Sequence, residues 1–303
     1  MPGVPELPDI ELYLHALRPR LLGQTITAVR IAAPFLVRTI DPPVAAAIGR
    51  PITSLRRVGK RIAIDADGVV LVLHLMIAGR LRWLAAGAPI PRRLGLAAID
   101  VAAGTLLLTE AGTTRRASLH MAAGAAGVTA LDPGGVEPLA IDRDTFAGQL
   151  ALERHTLKRS LTDPTLFSGI GNAYSDEILH RARLSPLRMS DSLDADEICR
   201  LYDATTATLT GWRDTLIAAI GDGFPEKVTA FRPGMRAHGR FGQPCPDCGT
   251  PIQRIRYAAN EANYCPTCQT GGRLLADRGL SRLLKSDWPR TLDELARHKQ
   301  ARR

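Results

Sequence analysis

No apolar run in this 303-residue chain approaches the roughly 20 residues needed to span a membrane. The first 31 residues lack the basic start and compact apolar block of a signal peptide. Internal repeats and low-complexity tracts are absent too, which argues against a solenoid or a disordered chain. Apolar residues at 45% and charged residues at 23% are ordinary for a folded globular protein. The expectation is an intracellular protein large enough for two domains and a small appendage.

Cysteine is scarce and unevenly placed. Of five cysteines, four fall within the 24 residues from Cys245 to Cys268. A disulfide framework does not suit a chain without a secretion signal. The fifth, Cys199, lies in a helical stretch and reads as a small buried apolar residue.

The charge is uneven as well. The chain carries a formal net charge of +9, and 13 Lys/Arg against 6 Asp/Glu lie between Arg236 and Arg303. A basic C-terminal region suits a phosphate backbone, although charge alone equally describes a solvated tail.

Helical spacing of Ile10, Tyr13, Leu14, Leu17 and Leu21 predicts a helix over Asp9–Leu22, stopped near Gly23. Thr25–Ile31, Val69–Leu75 and Thr105–Thr109 read as strands, separated by turn pairs such as Asp67-Gly68 and Ala103-Gly104. Asp132-Pro133-Gly134-Gly135 marks a linker, and helical periodicity follows over Asp142–Glu153, Tyr174–Ala182 and Asp194–Ile220. The predicted class is α+β: a β-sandwich over 1–131, a linker over 132–142, a helical domain over 143–235, a zinc finger over 236–270 and a basic extension over 271–303.

Cys245-Pro-Asp-Cys248 and Cys265-Pro-Thr-Cys268 are two CxxC turns separated by 16 residues. Each turn offers two thiolates, and a hairpin can join the pairs around one tetrahedral zinc. Four cysteines leave no open position, so this zinc is expected to be structural.

Four ordered motifs carry a family resemblance. They are Pro5-Glu6-Leu7-Pro8-Asp9-Ile10-Glu11, Arg56-Arg57-Val58-Gly59-Lys60, Gly169-Ile170-Gly171-Asn172-Ala173-Tyr174-Ser175-Asp176-Glu177, and the four-cysteine finger. Together the chain resembles the Fpg/Nei family of formamidopyrimidine-DNA glycosylases and endonuclease VIII-type enzymes. The resemblance implies an N-terminal β-sandwich flanked by helices, then a helix-two-turn-helix domain with the finger. It implies a bifunctional DNA glycosylase and AP lyase acting on damaged double-stranded DNA, with one structural zinc and no small-molecule cofactor. A monomer in the bacterial cytoplasm, associated with the nucleoid, is the expected state.

The resemblance assigns roles by position. Pro5 supplies a secondary amine that attacks C1′ and forms a Schiff base. Glu6 acts as general acid on the sugar oxygen, and Lys60 assists strand cleavage by β-elimination. Asn172 at a helix start is expected to hold a DNA phosphate, with Lys158 adding charge to the same strand, and Arg115 is expected to bind DNA where relatives fill the gap left by the flipped base. Taken alone, Pro8 is a helix starter, Lys60 a surface lysine, and Gly169–Gly171 a turn.

Several positions depart from the family pattern. Met1–Val4 precede Pro5, and an acylated proline nitrogen has no nucleophilic lone pair. Val4 can be encoded by GTG, a bacterial initiator, so the expectation is a start at Val4 and removal of that residue. Pro2 has Gly3 rather than an acid after it and is rejected as nucleophile. His74-Leu75-Met76-Ile77-Ala78-Gly79 stands where relatives insert a methionine into DNA, making Met76 or Ile77 the candidate wedge. Ala117 replaces an aromatic wedge, Leu94-Gly95-Leu96 lacks a DNA-contacting histidine, and Asn260 replaces a finger arginine that Arg254 or Arg256 is placed to compensate. The stretch from Phe224 to His238 is shorter than in oxidised-guanine enzymes, which widens the expected substrates to oxidised pyrimidines and abasic sites. The alternative is a catalytically silent relative that binds DNA damage with a blocked proline. A zinc-ribbon RNA-binding protein is a weaker third reading, because RNA binding gives no use for a Pro-Glu pair.

Overall fold

The computed structural model describes residues 3–112, 114–229, 231–257, 260–276 and 289–300. Among these, no helix is long and apolar enough to cross a membrane. The chain divides into two compact units, residues 1–135 with 210–230, and residues 136–209 with 231–303.

The first unit opens with α1 (Leu7–Leu21), capped by Glu6 and Asp9 in a reciprocal capping box, with Pro8 in the first turn. The chain leaves the helix at Leu22, and Gly23 takes a φ of 76° that a side chain would resist. Ile10, Tyr13, Leu14, Leu17 and Leu21 are all fully buried, which confirms the predicted apolar face.

Eight strands follow: β1 (Ile26–Ile31), β2 (Ile52–Val58), β3 (Arg61–Ala66), β4 (Val69–His74), β5 (Gly79–Leu84), β6 (Gly95–Val101), β7 (Gly104–Glu110) and β8 (Ser118–Ala123). They form two antiparallel four-stranded sheets, ordered β1-β6-β7-β5 and β2-β3-β4-β8. Asp67 and Gly68 join β3 to β4 with φ values of 48° and 84°, a two-residue hairpin turn that matches strand twist. Ala97, Ile99, Leu106 and Leu108 of one sheet meet Leu73 and Leu119 of the other, making the sandwich core. A short α2 (Gly124–Thr129) closes the sandwich segment.

The second unit holds α3 (Arg143–Ala151), α4 (Leu157–Thr162), α5 (Asn172–Ala182) and the first half of α6 (Ala195–Ile220). Asp142 caps α3 by accepting the Thr145 N–H at 2.9 Å. Phe146 anchors this region, with ring centroids 4.9 Å from Phe167 and 5.6 Å from Tyr202. The hairpin of β9 (Gln253–Tyr257) and β10 (Asn260–Tyr264) then leads to α7 (Pro266–Thr270), and α8 (Leu292–Gln300) ends the described chain.

Two features differ from the sequence reading. Residues 210–230, placed there with the helical domain, belong to the first unit. Leu216 and Val228 enter the sandwich core, and Phe224 lies 6.1 Å from Tyr13, so burial of apolar surface decides their allegiance. Cys199 is half-buried rather than buried, with Sγ 3.6 Å from Asp203.

Candidate functional site

In the first unit, Pro5 and Glu6 sit immediately before α1. Pro5 is buried, and Glu6 is only 2% exposed. The Glu6 N–H donates to Asp9 Oδ2 at 2.9 Å, and the Glu6 carboxylate accepts the Asp9 N–H in return. The carboxylate is therefore fixed in direction by the helix it starts.

Lys60 occupies the tight turn between β2 and β3, beside Gly59 with a φ of 59°. Arg57 braces this turn: its Nε donates to Glu11 Oε1 at 3.2 Å and its Nη1 to the Gly59 carbonyl at 2.8 Å. One guanidinium thus fixes both the helix that carries Pro5 and Glu6 at its head and the turn that carries Lys60. Arg61 is paired in register with His74. Burial pushes the His74 imidazole down to about 4, and the charges of Arg61, Lys60 and His120 act in the same direction. A neutral imidazole consequently stands near the Lys60 ammonium at neutral pH.

The loop from β4 to β5 departs from ordinary backbone. Met76 adopts a φ of 52°, rare for a side chain with a Cβ, while Ile77 is 43% exposed. Of the two candidate wedges, Ile77 presents the more accessible apolar side chain. Gly79 is required there, since an added Cβ would lie 2.2 Å from the Leu75 carbonyl oxygen. Farther along, Glu110 accepts the N–H groups of Arg116 and Ala117, which shapes the segment holding Arg115. Arg115 is exposed and donates to the Arg93 carbonyl at 2.5 Å. Ala117 is fully buried, so that position offers nothing to a neighbouring molecule.

In the second unit, Gly169 with a φ of 80° and Gly171 lead into α5, whose first residue is Asn172. Asn172 is half-buried at a helix N-terminus, a position suited to an anion. Lys158 does not reach outward as the sequence reading expected. It is 9% exposed, and its Nζ donates to Asp176 Oδ1 and to the Asn172 carbonyl, each at 2.6 Å.

Asp176 also meets His238 Nδ1 at 2.8 Å and Asn263 Nδ2 at 3.2 Å. Burial opposes its charge, but Lys158 and His238 outweigh burial and hold the carboxyl below the usual carboxylate range. Glu177 accepts the N–H groups of Arg236, Ala237 and His238 at 2.8, 2.8 and 2.9 Å. These two acids tie α5 to the finger. Their presence in the third motif was legible, but their partners His238 and Asn263 were not, because they lie 62 and 87 residues away.

The four finger cysteines converge, with ligand atoms within 4.8 Å of one another. Cys245 and Cys268 sulfurs are 3.9 Å apart, and Cys248 and Cys265 sulfurs 3.4 Å apart. A tetrahedral zinc with Zn–S bonds of about 2.3 Å needs sulfur–sulfur edges of roughly 3.8 Å, so the geometry fits. Cys245, Cys248, Cys265 and Cys268 hold one structural zinc ion. Gly249, with a φ of 74°, closes the first knuckle. On β9, Arg254 stacks over Phe241 at 4.2 Å and pairs with Glu261 at 3.5 Å, while Arg256 is exposed. Of the basic extension, Arg273 and Arg290 are described, whereas Arg278, Arg282 and Lys285 lie outside the described residues.

Three domain families match in order. Residues 4–117 match the formamidopyrimidine-DNA glycosylase N-terminal domain, residues 135–212 the H2TH domain of the same enzymes, and residues 242–271 the zinc finger found in FPG and IleRS. A formamidopyrimidine-DNA glycosylase-like protein of Mycobacterium tuberculosis is 41% identical over 151 residues, covering 50% of this chain and 94% of the relative. The formamidopyrimidine-DNA glycosylase of Herpetosiphon aurantiacus is 33% identical over 276 residues, covering 88% of this chain and all of the relative. Among solved structures, MutM (Fpg) from Thermus thermophilus superposes with a TM-score of 0.73 at 33% identity, covering 88% of this chain and 98% of that one. Lactococcus lactis Fpg in complex with DNA containing an abasic site gives a TM-score of 0.76 at 24% identity, covering 88% and 99%.

Proposed function

The chain belongs to the Fpg/Nei family of base-excision-repair DNA glycosylases, and from that premise we propose a bifunctional enzyme that uses the Pro5 amine first to release an oxidised base and then to cleave the strand.

The observation that carries this reading is the position of Pro5. The matched domain begins at Val4, so Pro5 is its second residue, and a buried acid follows at once. Freed of residues 1–4, Pro5 has a lone pair for C1′ of the damaged nucleotide, once that nucleotide has left the stack. Attack forms the N–C1′ bond. The base departs with the glycosidic electron pair and takes up the proton lost from the Pro5 nitrogen, whose electron pair then expels the ring oxygen as Glu6 protonates it. The resulting iminium acidifies the C2′ protons. Loss of one expels the 3′ phosphate by β-elimination, and Lys60 assists that step. Water then releases Pro5. The zinc ion supplies cross-linking of the finger and takes no part in the bond changes.

Arg115 and Asn172 are proposed as phosphate contacts, and Lys158 as the residue that orients Asn172. Lactococcus lactis Fpg was captured on abasic-site DNA, which makes that DNA a suitable probe here. Borohydride trapping on a duplex with one abasic site tests the proposal, comparing protein that begins at Pro5 with protein retaining residues 1–4. A covalent adduct from the Pro5 form alone is expected. Absence of adduct from both forms overturns the enzymatic reading in favour of a silent damage-binding relative, which the acylated Pro5 nitrogen of the full sequence would suit.

A further inference from the structure

His180, on α5, has no part in the chemistry above, yet it is fully buried against the finger. Its Nε2 lies 3.2 Å from Cys245 Sγ, and its Nδ1 is buried with no hydrogen-bond partner among the described residues. That asymmetry places the proton. A buried N–H without an acceptor is costlier than a bare nitrogen, and a thiolate can only accept.

We propose that His180 is a positioning residue of the zinc site, donating its Nε2–H to the Cys245 thiolate and thereby slowing zinc loss. The inference rests on zinc occupying the four cysteines. Four thiolates around Zn²⁺ leave a doubly negative group, and Cys245 and Cys265 are only 2% and 0% exposed. A buried anion of this kind needs hydrogen-bond donors. Cys265 receives the Cys268 backbone N–H at 3.5 Å, and Cys245 receives His180. Asp247 competes poorly for the same nitrogen, because its nearer oxygen is 4.0 Å away and it is paired with Arg236.

The contact also gives α5 a double duty. Its first residue is Asn172, and its middle carries Asp176 and Glu177, which hold His238, Asn263 and the 236–238 backbone. One helix therefore joins the zinc site, through His180, to the proposed phosphate contact at Asn172.

The test uses the full chain, first measuring bound zinc by atomic absorption. Near one zinc per chain validates the site, whereas none would defeat the zinc reading itself. Zinc release into excess chelator is then timed for wild type, His180→Phe and His180→Gln. Release from His180→Phe is expected to be about 10–100-fold faster, the usual effect of losing a metal ligand's hydrogen-bond partner, with Gln restoring part of the retention through its own N–H. Equal rates in all three overturn the proposal. Because Phe can disturb packing, a long-range ¹H–¹⁵N spectrum of the zinc-loaded wild type provides an independent readout. Protonated Nε2 and bare Nδ1 are expected for His180. The opposite tautomer, or Nε2 bound to the metal, overturns the assignment whatever the variants do.

Discussion

Arg57 Nε sits 3.2 Å from Glu11 Oε1, and the Arg57 side chain is only 8% exposed, so a nearly buried ion pair links the first helix to the second strand. The same guanidinium grips the Gly59 carbonyl beside Lys60. Replacing Arg57 with Met leaves Glu11 without this partner and releases the turn. A loss of about 1.5–3 kcal/mol is expected, typical for hydrogen bonds to charged groups. Urea unfolding measures it. Strand cleavage should fall more than base release, since the Lys60 turn loses a brace while Glu6 keeps its helix cap. Equal loss of both activities would argue that Arg57 has no special relation to Lys60.

Glu6 both caps α1 and, in the proposed chemistry, gives up a proton. Glu6→Gln separates those duties, because the amide oxygen still accepts the Asp9 N–H. Stability is expected to hold within about 0.5 kcal/mol. Base release should drop by about 10²–10⁴-fold, the usual contribution of a general acid. Adduct formation on a pre-formed abasic site should suffer less. A large fall in melting temperature with unchanged base release would assign Glu6 to the helix alone.

These two cases show what was legible in sequence. Local signals sufficed for the CxxC turns and the apolar face of α1, since each is settled within a few residues. Lys158 is the opposite case. A lysine near a phosphate loop looks outward until Asp176, 18 residues later, is found folded beneath it. His180 was missed because a histidine on a buried helical face carries no sign of what covers it. Residues 210–230 were assigned by helical continuity, but α6 changes its packing partners midway, and periodicity does not report partners.

His74 predicts a pH dependence. Its folded value of about 4 lies below the ordinary histidine value near 6.5, with burial the main cause. Above about pH 6.5 both folded and unfolded chains carry it neutral, and its stabilising contribution is complete. Between about 6.5 and 4 the unfolded chain takes up the proton first, so stability falls as pH falls. The loss is of order 3 kcal/mol at most. His120, lowered by burial and by Arg61 and Arg38, adds to it with the same sign. The urea midpoint should therefore drop from pH 7 to pH 5, and drop less in His74→Gln. Identical drops in the two proteins would count against the burial argument.

Removal of zinc should act on the second unit and spare the first. The apolar cluster around the metal site is small, Cys245, Ile252 and Cys265 with Cys268 packed against it, so the metal carries much of the finger's stability. Chelation is expected to abolish tight DNA binding, while amide-exchange protection in β3, β4, β6 and β7 persists. Those strands close their own core, whose described residues belong to the first unit. Full DNA affinity after complete zinc removal would contradict the finger's assigned role.

Lys158 separates a residue that touches DNA from one that holds another residue in place. Its ammonium already meets Asp176 and the Asn172 carbonyl, and Asp176 has no exposed side-chain surface. Lys158→Met leaves that carboxylate with His238 and Asn263 alone. Breaking a buried pair in this way costs about 3–5 kcal/mol. The salt dependence of DNA binding carries the distinction. Each neutralised phosphate contributes about 0.9 to the slope of log affinity against log salt. Arg115→Ala, which removes an exposed cation, should lower the slope by about that amount with little effect on folding. Lys158→Met should weaken folding and overall affinity while leaving the slope unchanged, because its charge is already committed inside the protein. A slope reduced equally by both substitutions would return Lys158 to the phosphate backbone and would require its ammonium to leave Asp176 on binding.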